Sequence, residues 1–138
     1  MSDGATSVLE LASRQLEAAN RHDLDAFMSV FASDAVYDAS RDGVGVYEGP
    51  AAIRELIGGW WRTFEDLQLT PEEVLDLGGG VVFAAIRHDA RPARSAAHVS
   101  TRQFYVFVVE EDMVLRVTVY GDIDEARAAA ERLAEERR

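Results

Sequence analysis

The stretch that decides the fold is Thr101 to Glu110, TRQFYVFVVE, in which six apolar residues run from Phe104 to Val109 without a polar interruption. Successive side chains of a strand point to opposite faces, so such a run needs cover on both sides. Phe104, Val106 and Val108 fall on one face, and Tyr105, Phe107 and Val109 on the other. Every other segment reads as a cover for one face or the other.

Toward the C terminus, Glu110 to Asp112 turns the chain and Met113 to Tyr120 forms a last strand. Asp122 or Asp124 then caps a final Ala- and Arg-rich helix, which is expected to fray. Toward the N terminus, the loop DARPARSAA precedes the long strand, expected to span His98 to Val109. Before that loop, Glu73 to Leu77 and Val81 to His88 form two strands joined by the turn GGG at 78–80. Gly49-Pro50 opens a helix along which Ile53, Ile57, Trp60, Trp61 and Phe64 recur on one side. Gly58-Gly59 within it cost about 1 kcal/mol each and mark a kink or a close approach of another backbone.

Ala35 to Ala39 reads as a first strand, followed by the loop SRDGVG and a short return at Val46-Tyr47. Upstream lies a helical hairpin. Ser7 with Glu10 makes a capping box for a helix carrying Leu9, Ala12, Leu16 and Ala19 on one face. Asp23 caps a second helix with Leu24, Phe27, Met28 and Phe31 on its apolar side. Helices first, then a meander of antiparallel strands with one helix inserted, is an α+β layout. The sheet curves, helices close its hollow side, and a second copy is expected to cover the other, where Tyr105, Phe107 and Val109 would otherwise face water, as a homodimer through the sheet.

A chain of 138 residues makes one domain, and 48% hydrophobic content is enough to build a core. Cysteine is absent, which excludes disulfides, thiolate metal sites and thiol nucleophiles. All basic residues are Arg, so Schiff-base chemistry and a Lys-bearing phosphate loop are excluded as well. A formal charge of −11 repels nucleic acid and anionic membranes, leaving neutral small molecules or another protein surface as partners. No apolar run has membrane-spanning length and MSDGATS has no signal-peptide core, so a cytoplasmic location is expected.

Three patches together carry a resemblance: LEAANRHDLDAFMSVFASDAVYDAS at 16–40, GVYEGPAAIRELIGGWW at 45–61, and VLRVTVYGDIDEA at 114–126. The chain resembles the nuclear transport factor 2-like superfamily, in its SnoaL-like branch. That resemblance implies a cone-shaped curved antiparallel sheet wrapped around N-terminal helices, an internal pocket, common dimerisation and no cofactor. It leaves activity open, since isomerases, cyclases, hydrolases, dehydratases and non-catalytic binders share the fold.

The resemblance can be followed residue by residue. Ketosteroid isomerases place a carboxylate base at the end of the first strand, where this chain has Ala39, with Asp38 one residue earlier and so on the opposite face unless a bulge intervenes. Gln15 and Phe104 stand where the oxyanion-binding Tyr and Asp are expected, so that pattern is not met. The Asp-Arg-Asp network of limonene epoxide hydrolases fails too, because Phe104 follows Arg102 where a carboxylate is needed. SnoaL-like cyclases fit better: Asp122 falls on their acid/base position and His98 on their strand histidine. Asp122 equally reads as a helix cap.

The candidate catalytic residues are therefore Asp38, His98 and Asp122. Candidates for contact with ligand are Tyr37, Tyr47, Trp60, Arg87, Arg102 and Phe104. Arg87 and Arg102 each need a carboxylate, with Asp38 nearest by topology. His88 and His98 flank one loop, but no third ligand is spaced to make a metal site. The expected function is an apolar pocket for a small hydrophobic molecule. That pocket serves either cofactor-free isomerase or cyclase chemistry on a carbonyl compound, or non-catalytic binding, or a dimeric interaction module.

Overall fold

A computed structural model describes residues 8–92 and 94–138. Its elements run α1 (Val8–Asn20), α2 (Leu24–Met28), β1 (Phe31–Ala39), a 3-10 turn (Ser40–Asp42), β2 (Gly45–Glu48), α3 (Pro50–Arg62), β3 (Phe64–Gly78), β4 (Val81–Pro92), β5 (Val99–Glu110), β6 (Met113–Tyr120) and α4 (Ile123–Arg137). The α+β layout is as expected. Ser7 of the expected capping box lies outside the described residues.

One six-stranded sheet has the order β2-β1-β6-β5-β4-β3. The sequence reading of a purely antiparallel meander is corrected at one place: β1 runs parallel to β6. The inserted α3 lets the chain leave β2 at one edge and resume with β3 at the other. β3 is far longer than its Glu73–Leu77 apolar core suggested, and it carries Pro71 at the sheet edge, where a missing N–H costs no ladder bond.

The register explains the uninterrupted run in β5. Tyr105 sits between Ala84 and Val119, and Phe107 between Val82 and Val117. Tyr105 and Phe107, expected on the outer face, instead belong to the large core under α1, α2 and α3, because it is their face that the concave side of the sheet turns inward. Phe104 and Val106 point the other way, into a second core with Val81, Phe83 and Ala85. There α4 lies across the sheet and buries Ala126, Ala130 and Ala134 at helical spacing, each 0% exposed. The cover assigned to a second copy is thus supplied over this part by the chain's own C-terminal helix. Beyond it, Val36, Asp38, Val108, Leu115, Arg116 and Thr118 border a hollow of about 570 Å³ between sheet and helix.

Local details follow from single residues. Asp122 caps α4 by accepting from the Glu125 amide at 2.9 Å. Gly58 allows a close approach, since a Cβ there would stand 3.1 Å from Leu24 Cδ2. Gly80 ends the β3–β4 turn with φ +79, and a Cβ would fall 2.2 Å from the Val109 carbonyl oxygen. Asn20, at the end of α1, donates to Leu69 O at 3.0 Å and accepts from Leu69 N at 2.7 Å, fixing the helix to β3. Among the described residues, no helix is long and apolar enough to cross a membrane.

Candidate functional site

The concave face of the sheet and the three N-terminal helices enclose two adjoining spaces. The inner one, of about 50 Å³, is bounded by Ala12, Gln15 and Leu16 of α1, Phe27 of α2, Ile57, Trp60 and Trp61 of α3, and inward strand residues including Ala84, Ile86 and Phe107. The outer one, of about 460 Å³, opens between α3 and the turn after β1, and its wall includes Asp42, Val44, Glu55, Leu56, Thr63 and Gln103. Tyr37, Ile57, Trp60 and Tyr105 line both and form the boundary between them.

A chain of hydrogen bonds crosses this boundary. His88 Nε2 lies 3.0 Å from the Tyr105 hydroxyl, which lies 2.9 Å from Gln103 Oε1. Gln103 Nε2 in turn donates to Asp42 Oδ2 at 2.8 Å. One assignment satisfies every member: His88 Nε2–H donates to Tyr105, whose O–H donates to Gln103. Neutral histidine in its Nε2–H tautomer satisfies it. Burial, against a smaller opposing pull from Asp89, pushes the His88 pKa down to about 4. His88 also packs on Trp60 at 5.3 Å and stacks on Tyr105 at 6.2 Å between ring centroids.

Tyr37 differs from Tyr105. Among the described residues its hydroxyl has no hydrogen-bond partner, and no buried side-chain oxygen or nitrogen is left unpaired, so it opens onto the cleft. Burial and then the Asp42 charge raise the Tyr37 pKa well above the ordinary phenol value. Burial, Tyr37 and Asp42 do the same for Tyr105. Both phenols are therefore protonated donors at neutral pH. An anionic side chain and an unengaged O–H face one largely apolar space.

The sequence-derived candidates divide. Tyr37 and Trp60 line the cavities as expected. Asp38 does not: it faces the opposite side of the sheet, where Ser40 donates to it from both amide and hydroxyl and Arg116 donates at 3.0 Å. The Ser40 hydroxyl, then the Ser40 amide, hold its pKa below the usual carboxylate value, with Arg116 adding to this. His98 precedes β5 and is exposed, outside both cavity walls. Asp122 is the cap of α4, also outside them. None of these three side chains lines either cavity.

Phe104 lies on the convex face, with the Arg102 guanidinium 5.3 Å from its ring. Arg102 and Arg87 pair with Glu72 and Asp89 on that same face, in place of Asp38. Tyr47 packs at the edge of the core, its hydroxyl 3.4 Å from Val44 O. Asp42, Gln103 and Tyr105 were not singled out as site residues from sequence, and His88 was weighed there only beside His98 at the ends of one loop. Strand parity carried a signal for three of them, since Ala84, Ile86 and His88 share a face, as do Gln103, Tyr105 and Phe107. Asp42 sits in the SRDGVG loop, where parity says nothing. Among the described residues, no group of three or more His, Cys, Asp or Glu could hold a metal ion.

Comparison with known proteins agrees with this architecture. The sequence profile of the SnoaL-like domain matches residues 12–117. No curated protein sequence matches. Several solved structures superimpose well at low identity. A hypothetical protein with a ketosteroid isomerase-like fold from Catenulispora acidiphila DSM 44928, in complex with trimethylamine, has a TM-score of 0.73 at 13% identity, covering 88% of this chain and 92% of that one. The epoxide hydrolase/cyclase-like enzyme SalBIII, of pyran ring formation in the polyether salinomycin, has 0.72 at 20%, covering 85% and 92%. A Shewanella denitrificans OS-217 protein described as a SnoaL-like polyketide cyclase has 0.71 at 11%, covering 91% and 97%. At these identities the likeness is one of fold.

Proposed function

The chain belongs to the SnoaL-like domain family, and from that premise we propose that it binds a small hydrophobic carbonyl compound in the outer cleft and moves a proton on it without a cofactor. The observation that carries this reading is the shared wall: the unengaged Tyr37 hydroxyl and the Asp42 carboxylate both face the 460 Å³ cleft. A carboxylate can take a proton from the carbon beside a carbonyl, and a phenol can donate to the oxygen on which charge then develops. The C–H electron pair passes into the enolate. The proton held by Asp42 then returns to a different carbon, giving an isomer, or the enolate attacks a second carbonyl carbon to close a ring, the C=O π pair becoming an alkoxide that takes the proton back from Asp42. Gln103 holds the carboxylate by one oxygen and leaves the other for the substrate. Polyketide cyclase-like and isomerase-like structural relatives support the same class of chemistry.

The test is α-proton exchange of cyclic and aryl ketones in deuterated water, followed by proton NMR. Wild type should exchange them well above the buffer rate, and Asp42→Asn should lose about a hundredfold or more of that excess. Equal exchange by wild type and Asp42→Asn overturns the assignment of the base. A second reading, binding without turnover, is favoured by the fact that Asp42 already has a partner in Gln103. It predicts thermal stabilisation by such ketones with exchange no faster than buffer.

A further inference from the structure

The two adjoining spaces differ in chemistry as well as size, and we infer that the inner chamber is a length gauge for a short alkyl tail on the ligand whose carbonyl sits in the outer cleft. This rests on the ligand-binding part of the proposed function but not on its proton transfer. The chamber and the cleft meet at Tyr37, Ile57, Trp60 and Tyr105, which line both, and the inferred ligand spans that shared wall. Its walls are aliphatic and aromatic. Two of the polar groups around it are committed elsewhere: Gln15 Nε2 is directed at the Phe27 carbonyl, 3.4 Å away, and the Tyr105 hydroxyl is held by Gln103 and His88, which leaves the Tyr37 hydroxyl at the shared wall as the group open to a ligand. Water entering the chamber finds few partners, so an apolar group displaces it at little cost.

Size sets the gauge. At roughly 10–15 Å³ for each water-sized group, about 50 Å³ takes roughly four such groups, which suits a tail of about four carbons. Two small residues set the limit. Ala84 is 1% exposed and stands between Val74 and Tyr105 in the sheet floor, while Ala12 faces the chamber from α1. Larger side chains there shorten the space from positions that line the inner chamber and not the cleft. A longer tail must displace Phe or Trp rings from a packed core.

The experiment is a homologous series of phenyl n-alkyl ketones, from acetophenone to octanophenone, titrated against wild type, Asp42→Asn, Ala84→Val and Ala12→Leu by calorimetry. Affinity should rise about fourfold per methylene until the chain reaches about four carbons, then level or fall. The break should persist in Asp42→Asn and move to shorter chains by one or two carbons in Ala84→Val. Ala12→Leu gives the same readout if Ala84→Val does not fold. Affinity that climbs without a break, or a break unmoved by either filled variant, overturns the gauge. That outcome with α-proton exchange intact leaves the base assignment standing, whereas a break without exchange removes the chemistry and keeps the gauge.

Discussion

Gln103 Nε2 donates to Asp42 Oδ2 at 2.8 Å, joining the middle of the sheet to the turn that follows its first strand across 61 residues of sequence. The bond orients a carboxylate that is otherwise exposed at the cleft mouth. The opposite end of the Gln103 amide is held by Tyr105, and Tyr105 by His88.

Gln103→Leu should therefore leave Asp42 present but misdirected. Ketone exchange should fall about tenfold to a hundredfold, mostly in turnover, while ketone affinity changes little. Steady-state rates for Gln103→Leu against Asp42→Asn check this, and a Gln103→Leu protein with wild-type turnover denies the orienting role.

Tyr37→Phe separates stability from chemistry. The hydroxyl has no partner among the described residues, so its removal should change unfolding free energy by no more than about 0.5 kcal/mol. Exchange should drop by about tenfold or more if the phenol polarises the carbonyl. Urea unfolding beside the exchange assay measures both, and a large stability loss with unchanged exchange would place Tyr37 in the core alone.

His88 sets an acid limit. Its folded pKa, about 4, lies below the ordinary value of 6.5. The unfolded chain therefore binds a proton first as pH falls from about 6.5 toward 4, and stability declines across that window by up to about 3 kcal/mol. The depressed Asp38 acts in the same sense but only below the ordinary carboxylate value of 3.8, so the two windows are distinct. His88→Gln, which can still bond Tyr105, should flatten the loss between pH 6.5 and 4.5 in thermal melts. An unchanged slope in the variant would assign the acid sensitivity elsewhere.

Asp122→Ala should cost about 1 kcal/mol by freeing the Glu125 amide at the start of α4. Ketone binding should stay as in wild type, because α4 packs on the face of the sheet away from the cleft. Isothermal titration of the variant decides: weakened binding would restore Asp122 to the site.

Much of the architecture was legible in the Phe104–Val109 run, which demanded cover on both sides and has it. What the run could not say was who provides the outer cover. The final helix reads as charged and prone to fray, yet its three alanines at i, i+4 and i+8 form a flat stripe that lies close against Phe83 and Phe104. At the site, Asp38 was named as a candidate although the one-residue offset from the end of the first strand puts it on the far face; no bulge returns it to the pocket, and it lies with Arg116 on that face. His98 shares the parity of Arg102 and Phe104, which is that of the convex face, and it stands exposed just before β5 begins at Val99. Asp42 was hidden because a turn has no period, and its approach to Gln103 depends on how β1 ends relative to β5.

The two-bond clasp between the Asn20 amide and the Leu69 backbone has a further consequence. β3 is the outermost strand on its side, and a long bare margin of that kind invites a foreign strand to zip onto it. The Asn20 carboxamide fills one rung of that margin, and the His22 ring lies 3.4 Å from the Leu67 carbonyl oxygen one rung away. The helical hairpin thus doubles as a guard against fibril growth, and Asn20→Ala protein should seed thioflavin-positive aggregates sooner than wild type at equal folded fraction.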